Sequence, residues 1–313
     1  MRKWTDMPKF SFRHLELFAA LSEQPTLSAA AALMHISESG LSHAITDLEA
    51  AVGEQLCVRR KARGVQLTPA GLYFAERAKR LLREAEGLAS DLGAEGGQLR
   101  GPVSIGCYSG LGSTLLPPLL EGFREQHPNV ELITKLGSAN DLVPALESGT
   151  VDLAFLYNQA LPPSLAKERI YDSHLLAILP EGHRLAQQDA IDLKDLVDDP
   201  LIMMDLAPSA ANTMLVFHQR GLKPNVSVNV PQIDLVRTLV ARGLGYSLLM
   251  SRPRGFAPFS AEGKRLVARP LAPRAGETQV VVAWLASSDL STRARAVKSY
   301  TLDAIGNLVR ASA

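Results

Sequence analysis

Along the N-terminal part of the chain, apolar positions recur with the period of a helix rather than that of a strand. Leu15, Phe18 and Leu21 predict a first helix over about Arg13–Leu21, and LSAAAALM (27–34) predicts a second, capped by Thr26 or Ser28. Alanine is the best helix former, and a helix lined with it lets another approach closely. The chain then passes His35-Ile36 and restarts at Ser37, a good N-cap, after which Leu41, Ile45, Leu48 and Val52 form one buried stripe ended by Gly53. The opposite face carries Glu38, Ser39, Ser42, His43 and Thr46. Two short helices joined by a tight turn, the second polar on its outer face, have the layout of a helix-turn-helix. A small helical bundle with a wet polar face fits the same segment.

Charge changes that balance. LCVRRKARGVQLTPAG (56–71) alternates and turns like a β-hairpin with Gly64 near its tip. Between residues 55 and 83 there are eight basic residues (Arg59, Arg60, Lys61, Arg63, Arg77, Lys79, Arg80 and Arg83) and one acid, Glu76. That excess of +7 sits in a chain of net charge +1. A charge run is commonly a solvated face. Beside a helix that can read bases, a basic hairpin is a wing placed to meet phosphates or a minor groove, with Arg60 and Arg63 as its contacts. Thr68-Pro69 then starts a helix over 68–93. Phe74, Ala78, Leu81, Ala85, Leu88 and Leu92 step by 4 and 3, a heptad seam that suits a partner helix in a dimer. The alternative is an amphipathic helix lying on its own domain. A glycine-rich run, GAEGGQLRG (93–101), follows as a hinge over 94–101.

Beyond it, strand-like and helix-like runs alternate. VSIG (103–106) precedes a helix near 114–127, VELIT (130–134) another near 140–148, and VDLAFLY (151–157) closes the unit. HLLAILP, LIMMD, VSVNV, GYSLLM and VVVAWLA continue the pattern to residue 286. Alternation of this kind implies mostly parallel sheets with helices on both faces. The stretches near 158–172 and 268–277, rich in proline and small residues, would cross between two lobes.

Composition adds bounds. A length of 313 residues fits two domains, or three small ones, and 46% hydrophobic with 21% charged residues describes an ordinary globular protein. The N-terminus lacks the apolar core of a signal peptide and no run of about 18 apolar residues occurs, so a cytoplasmic protein with no membrane contact is expected. Two cysteines are too few for a disulfide framework or a zinc site, and no metal or cofactor is expected.

The segment LSAAAALMHISESGLSHAITDLEAAVGEQL, the wing RGVQLTPAG and the linker helix lie in the order and nearly the spacing of LysR-type transcriptional regulators, which the whole chain resembles. The resemblance implies a multidomain protein. An all-α winged helix-turn-helix domain (10–71) and a coiled-coil dimerisation helix (68–93) would precede an α/β effector domain (102–313) of the two-lobe, type 2 periplasmic-binding-protein kind. Lobe I would hold residues 102–170 and 276–313, and lobe II residues 171–275. It further implies binding to double-stranded promoter DNA under the control of a small polar metabolite, a carboxylate foremost. Assembly as a homodimer or homotetramer and RNA polymerase as a further partner belong to the same picture.

Within it, Ser28 marks where the first helix of the motif nears the DNA backbone, and Ser37, Ser39 and Ser42 are contacts on the recognition helix. The family has glutamine where this chain has Glu38 and arginine where it has His43. Glutamine pairs with adenine, whereas glutamate only accepts, for example from cytosine N4. His43 bonds a phosphate or base in either charge state. The effector would meet Tyr108, Ser109 and Gly110 after the first strand, Ser138 after the second, Asp205 and Ser209 after LIMMD, and Gln232 at a later helix start. Serines there are also ordinary caps, and Asp205 would favour a hydroxyl or ammonium. Cys57 stands where the family has phenylalanine, as a small core residue. Cys107 follows a strand toward the cleft without a paired thiol for redox sensing. An enzyme built on two lobes is the first competing reading, yet no GxSxG, HExxH, phosphate-binding glycine loop or cysteine–histidine pair is present. A solute-binding protein is the second, but it has no use for a basic wing.

Overall fold

The computed structural model describes residues 9–60, 64–92, 99–253 and 255–312, with residues 59, 60, 86, 88–92 and 307–312 (among them Arg59, Arg60, Leu88 and Leu92) entering through their backbone alone. Arg63 and most of the glycine-rich run, 93–98, lie outside the described residues. The chain divides into two compact units, residues 1–101 with 147–150 and residues 102–146 with 151–313.

In the first unit, α1 (Phe12–Ser22), α2 (Leu27–Leu33) and α3 (Glu38–Val52) precede a two-stranded ribbon, β1 (Cys57–Arg60) and β2 (Gly64–Leu67), and a long helix, α4 (Pro69–Leu92). Each start has a side-chain cap. Thr26 Oγ1 accepts from the Ala29 N–H at 3.1 Å, Ser37 Oγ from Gly40 at 3.0 Å and Thr68 Oγ1 from Gly71 at 3.0 Å. Thr26, not Ser28, therefore caps α2. His35 turns the chain between α2 and α3 at φ +54°, and Gly53 closes α3 at φ +78°. Ala30 and Ala31 are buried and let α2 close on Leu41, Ile45 and Leu48 of α3, with Phe18 and Leu21 of α1 completing the core. The Glu49 carboxylate accepts from the N–H groups of Leu56 and Cys57 at 2.8 and 3.0 Å, which ties the root of the ribbon to α3. Gly71 is required where α4 passes this root, since a Cβ there would stand 1.8 Å from the Leu56 carbonyl oxygen.

Two expectations for α4 change. Phe74 packs into the domain's own core, edge-on to Phe10 and Phe18 at 5.8 and 5.5 Å, and Ala78 is buried. The first part of the heptad seam thus covers α1, because the three-helix core needs a fourth wall. Among the described residues of α4, the exposed large apolar ones are Leu72, Tyr73 and Leu81. Part of the basic excess is also matched within the chain, Lys79 by Glu23 at 2.8 Å and Arg80 by Glu84 at 2.7 Å.

The second unit has two lobes. Lobe I is a five-stranded sheet of order β4-β3-β5-β12-β6, formed by β3 (Gly101–Tyr108), β4 (Val130–Gly137), β5 (Leu153–Tyr157), β6 (Leu165–Ser173) and β12 (Thr278–Leu285). Helices α5 (Gly112–Gln126), α6 (Ala139–Glu147) and the closing α9 (Thr292–Ser312) belong to it. In lobe II, β7 (Leu175–Pro180) lies between β10 (Ser247–Met250) and β11 (Leu266–Pro270), and β8 (Pro200–Met204) pairs with β9 (Asn225–Val230). A bridge from Leu201 to Tyr246 joins these two parts. Burial alternates along the strands as the pleat demands. Leu175, Ala177, Leu179, Leu201 and Met203 face Val216 and Phe217 of α7 (Ser209–Gln219). Ile178, Ile202 and Met204 face Val236 and Val240 of α8 (Ile233–Ala241).

The sheets are mixed rather than mostly parallel. β3 and β5 run parallel, but β12 is antiparallel to both β5 and β6, and β7 is antiparallel to β10 and β11. The chain leaves lobe I, builds lobe II and returns in the opposite sense, which sets these directions. Residues 165–173, expected as part of a crossing, are a full strand of lobe I. The crossing itself is the step from Ser173 to Leu175, so lobe I extends three residues past 170. Closing helix α9 was not read from the sequence.

Truncating Phe74 to alanine should lower the stability of the first unit by about 3 kcal/mol, as for other core phenylalanines. Urea unfolding followed by circular dichroism measures this. A change under about 1 kcal/mol would place the ring outside the domain core.

Candidate functional site

Two surfaces collect the predicted site residues, one in each unit. On the first, the exposed side of α3 presents Ser37, Glu38, Ser39 and His43, with Ser42 half-buried between them. Ser37 serves mainly as the helix cap, and its hydroxyl also lies 3.1 Å from that of Ser39. His43 Nδ1 stands 3.4 Å from an Asp47 carboxylate oxygen one turn on. Ser28, on α2, donates its hydroxyl to the Glu38 carboxylate. Ser28, expected where the motif nears the DNA backbone, is thus bonded within the motif here. The ribbon β1–β2 stands next in the chain, its strands paired from Cys57↔Leu67 to Arg60↔Gly64. Arg60 is placed by its backbone at the end of β1; Arg63 falls outside the described residues.

The second surface is the cleft between the two lobes. Tyr108, at the end of β3, points its hydroxyl across to Ser209 Oγ at 2.7 Å. Burial raises the Tyr108 pKa, the Ser209 hydrogen bond opposing in part, so the phenol is neutral at ordinary pH. Tyr157 meets the Tyr108 ring edge-on at 5.3 Å, and burial pushes its pKa well up too. From lobe II, Arg252 reaches lobe I and donates to the Gly110 carbonyl and to Ser113 Oγ, both at 3.1 Å. The Ala139 N–H donates to the Ala207 carbonyl at 3.2 Å, a third link between lobes. Together these leave a cavity of about 20 Å³, room for roughly one water.

Of the predicted residues, Tyr108, Gly110 and Ser209 line this cavity. The other four do not. The Ser138 hydroxyl and N–H both donate to Asp141 Oδ2, at 2.6 and 2.8 Å, which caps α6 and holds the Asp141 carboxyl below the usual range. Ser109 is exposed, with its hydroxyl directed to the Gly137 carbonyl at 3.4 Å. Asp205 and Gln232 are exposed and lie outside the lining. Sequence reasoning missed Tyr157, Gln159, Asn212, Thr213, Met250 and above all Arg252, the one charged residue of the lining among the described residues. Asn212 and Thr213 were legible, because three and four residues after Ser209 they share its helix face. The strand-end rule, applied to GYSLLMSR, would have reached Arg252. The walls are otherwise Leu175, Met204, Ile233, Leu248 and Leu249. A single guanidinium over an apolar floor can hold one anionic group and exclude a second.

Cys107 is buried under the cleft, with its thiol pKa pushed up to about 12 by burial; Cys57 is buried in the first unit. Among the described residues no group of three or more His, Cys, Asp or Glu side chains could hold a metal, and no helix is long and apolar enough to cross a membrane.

A family model for the LysR substrate binding domain matches residues 96–305, and one for the bacterial regulatory helix-turn-helix protein of the lysR family matches residues 12–72. The chain is 28% identical over 310 residues to the uncharacterized HTH-type transcriptional regulator YnfL of Escherichia coli, covering 94% of this chain and 98% of that one. It is 29% identical over 266 residues to a probable hydrogen peroxide-inducible genes activator of Mycobacterium avium, covering 84% of each. The solved structure of HinK, a LysR family transcriptional regulator of Pseudomonas aeruginosa, matches with a TM-score of 0.64 at 33% identity, over 96% of this chain and 100% of that one.

With its thiol pKa pushed up to about 12 by burial, Cys107 stays protonated at pH 8. In a Cys57→Ala protein it should react with a disulfide reagent such as Ellman's only as fast as the domain opens. Labelling complete within seconds in buffer would put this thiol at an accessible surface.

Proposed function

The chain belongs to the LysR family of DNA-binding transcriptional regulators with an effector-binding domain, and we propose that its effector is a small organic monoanion with an apolar body, caught by Arg252 between the lobes. The observation that carries this reading is the lining itself: one cation, neutral phenols, and a floor of leucine, isoleucine and methionine. It narrows the polar carboxylate expected from the sequence. A carboxylate suits a guanidinium because the two pair through parallel, charge-assisted hydrogen bonds. Each methylene buried against the floor adds about 0.8 kcal/mol, which favours an apolar body over a sugar-like one. Asn212, Thr213 and Gln159 supply neutral polar contacts that set orientation.

Control of DNA binding follows from where Arg252 already bonds. An arriving carboxylate competes with the Gly110 carbonyl and Ser113 for the same guanidinium. A cavity of about 20 Å³ is also too small for an organic acid, so occupancy requires the lobes to part or turn. The ligand therefore prefers one lobe arrangement over the other, and without such a preference it would shift nothing. On the DNA side, phosphate contacts fall to Arg60 and Arg63 on the grounds of local charge. Two copies pair along the face of α4 that exposes Leu81. RNA polymerase enters as the partner of a regulator bound at a promoter. One relative is named for hydrogen peroxide, but the burial and high pKa of Cys107 favour a bound small molecule over thiol oxidation as the signal in this chain.

Calorimetric titration of the full chain against aliphatic and aromatic monocarboxylates, dicarboxylates and matched amines tests the assignment. Monocarboxylates should bind. Arg252→Met should weaken them about 10- to 100-fold, the span of a hydrogen bond to a charged group. Ser113→Ala, which removes an interlobe partner but keeps the cation, should not. Equal affinity in Arg252→Met, or preference for amines, would overturn the reading.

A further inference from the structure

The recognition helix carries a carboxylate where DNA, an anion, must approach. Glu38 is the first residue of α3 and is exposed. In a helix-turn-helix the N-terminal residues of the second helix meet base edges in the major groove. A lone acid there opposes binding to phosphate, so its presence asks for a compensating contact. The structure supplies its geometry. Ser28, exposed on the neighbouring helix α2, donates its hydroxyl to Glu38 Oε2. One carboxylate oxygen is engaged and the side chain is held between the two helices, and a carboxylate retains further acceptor capacity. Ser37 and Ser39 flank it with hydroxyls 3.1 Å apart.

We infer that Glu38 is a specificity-determining residue that reads a cytosine amino group, and that Ser28 is the positioning residue which aims it. The inference rests on the reading of α3 as the DNA-recognition helix. An ionised carboxylate is acceptor-only. Guanine presents N7 and O6, both acceptors, in the major groove, and thymine presents O4 beside a methyl group. Both repel Glu38. Adenine offers its N6 amino group next to the N7 acceptor, so attraction and repulsion stand side by side. In a duplex, adenine N6 is flanked on both sides, by its own N7 and by O4 of the paired thymine, whereas cytosine N4 has an acceptor on one side only, O6 of the paired guanine. The same charge that costs affinity on any phosphate backbone therefore acts as a filter against three of the four bases. Removing it should raise affinity for unrelated DNA while lowering discrimination, a pair of effects that loss of a merely structural residue would not produce.

Selection from a random-sequence duplex library by the full chain, at one fixed salt concentration and with sequencing of the retained DNA, tests this. The wild type should enrich cytosine at one position of each half-site, with about tenfold weaker binding when that base alone is changed. Glu38→Gln should enrich adenine at the same position with unchanged flanks, since an amide pairs with adenine N6 and N7 together. Glu38→Ala should lose preference there and bind unrelated duplex more tightly. Ser28→Ala should keep cytosine with reduced discrimination. If Glu38→Gln enriches the same base as the wild type at every position, Glu38 reads no base and the inference falls. Enrichment of no sequence by the wild type would instead overturn the recognition helix itself, and the inference with it.

Discussion

Two strands carry the chain between the lobes, and their pairing governs what the second unit can do. β6 pairs with β12 along lobe I, from Leu165↔Leu285 to Ser173↔Thr278, and directly beyond it β7 pairs with β11 in lobe II. The Leu175 N–H donates to the Ala275 carbonyl at 3.1 Å where the ribbon passes from one sheet to the other. Ser251 is bound into the same crossing, its N–H donating to the His174 carbonyl at 2.8 Å and its carbonyl accepting from Ser173 Oγ at 2.8 Å. Arg252 is the next residue. Its guanidinium reaches Gly110 because the crossing has placed it there. A double-stranded connection of this kind permits turning about a few residues and resists sliding. The crossing thus admits turning of one lobe against the other more readily than sliding.

The first unit depends on small and polar residues in the same way. Alanines in α2 bring α3 close, and hydroxyl caps fix where α2, α3 and α4 begin. Because α2 and α3 are held close, a serine on one can reach a glutamate on the other. The exposed face of α3 and its link to α2 are an outcome of core packing.

Much of this was legible in the chain. The stripe of Leu41, Ile45 and Leu48, the capping residues Ser37 and Thr68 and the stop at Gly53 carry local signals, and local hydrogen bonds decide them. Heptad spacing in α4 was legible as well, but spacing alone does not say which surface covers it. Phe74 meets Phe10 and Phe18, and only the tertiary arrangement of α1 shows that. The cleft was harder for a similar reason. Serines at strand ends read equally as caps and as ligands, and Ser138 is bound to Asp141 three residues on. Arg252 follows the end of β10, where the strand-end rule could find it, but its contacts with Gly110 and Ser113 far earlier in the chain are encoded by no local pattern. Directions of strands such as β12 were likewise hidden, since they follow from the order of crossing rather than from the residues of the strand.

That order has a consequence for how the protein comes to be made. Lobe II is contiguous, from β7 through β11, whereas lobe I is split around it. β12 lies between β5 and β6, so Tyr157 finds its partner Val280 only after the whole intervening lobe has been synthesised. Pairings of such sequence separation are slow because loop closure must precede the contact that rewards it. A folded lobe II shortens that search by bringing Leu176 and Pro270 side by side, which delivers the two flanking strands to lobe I as a ribbon. Without β12, the facing edges of β5 and β6 have no strand between them, and unpaired strand edges are where chains associate.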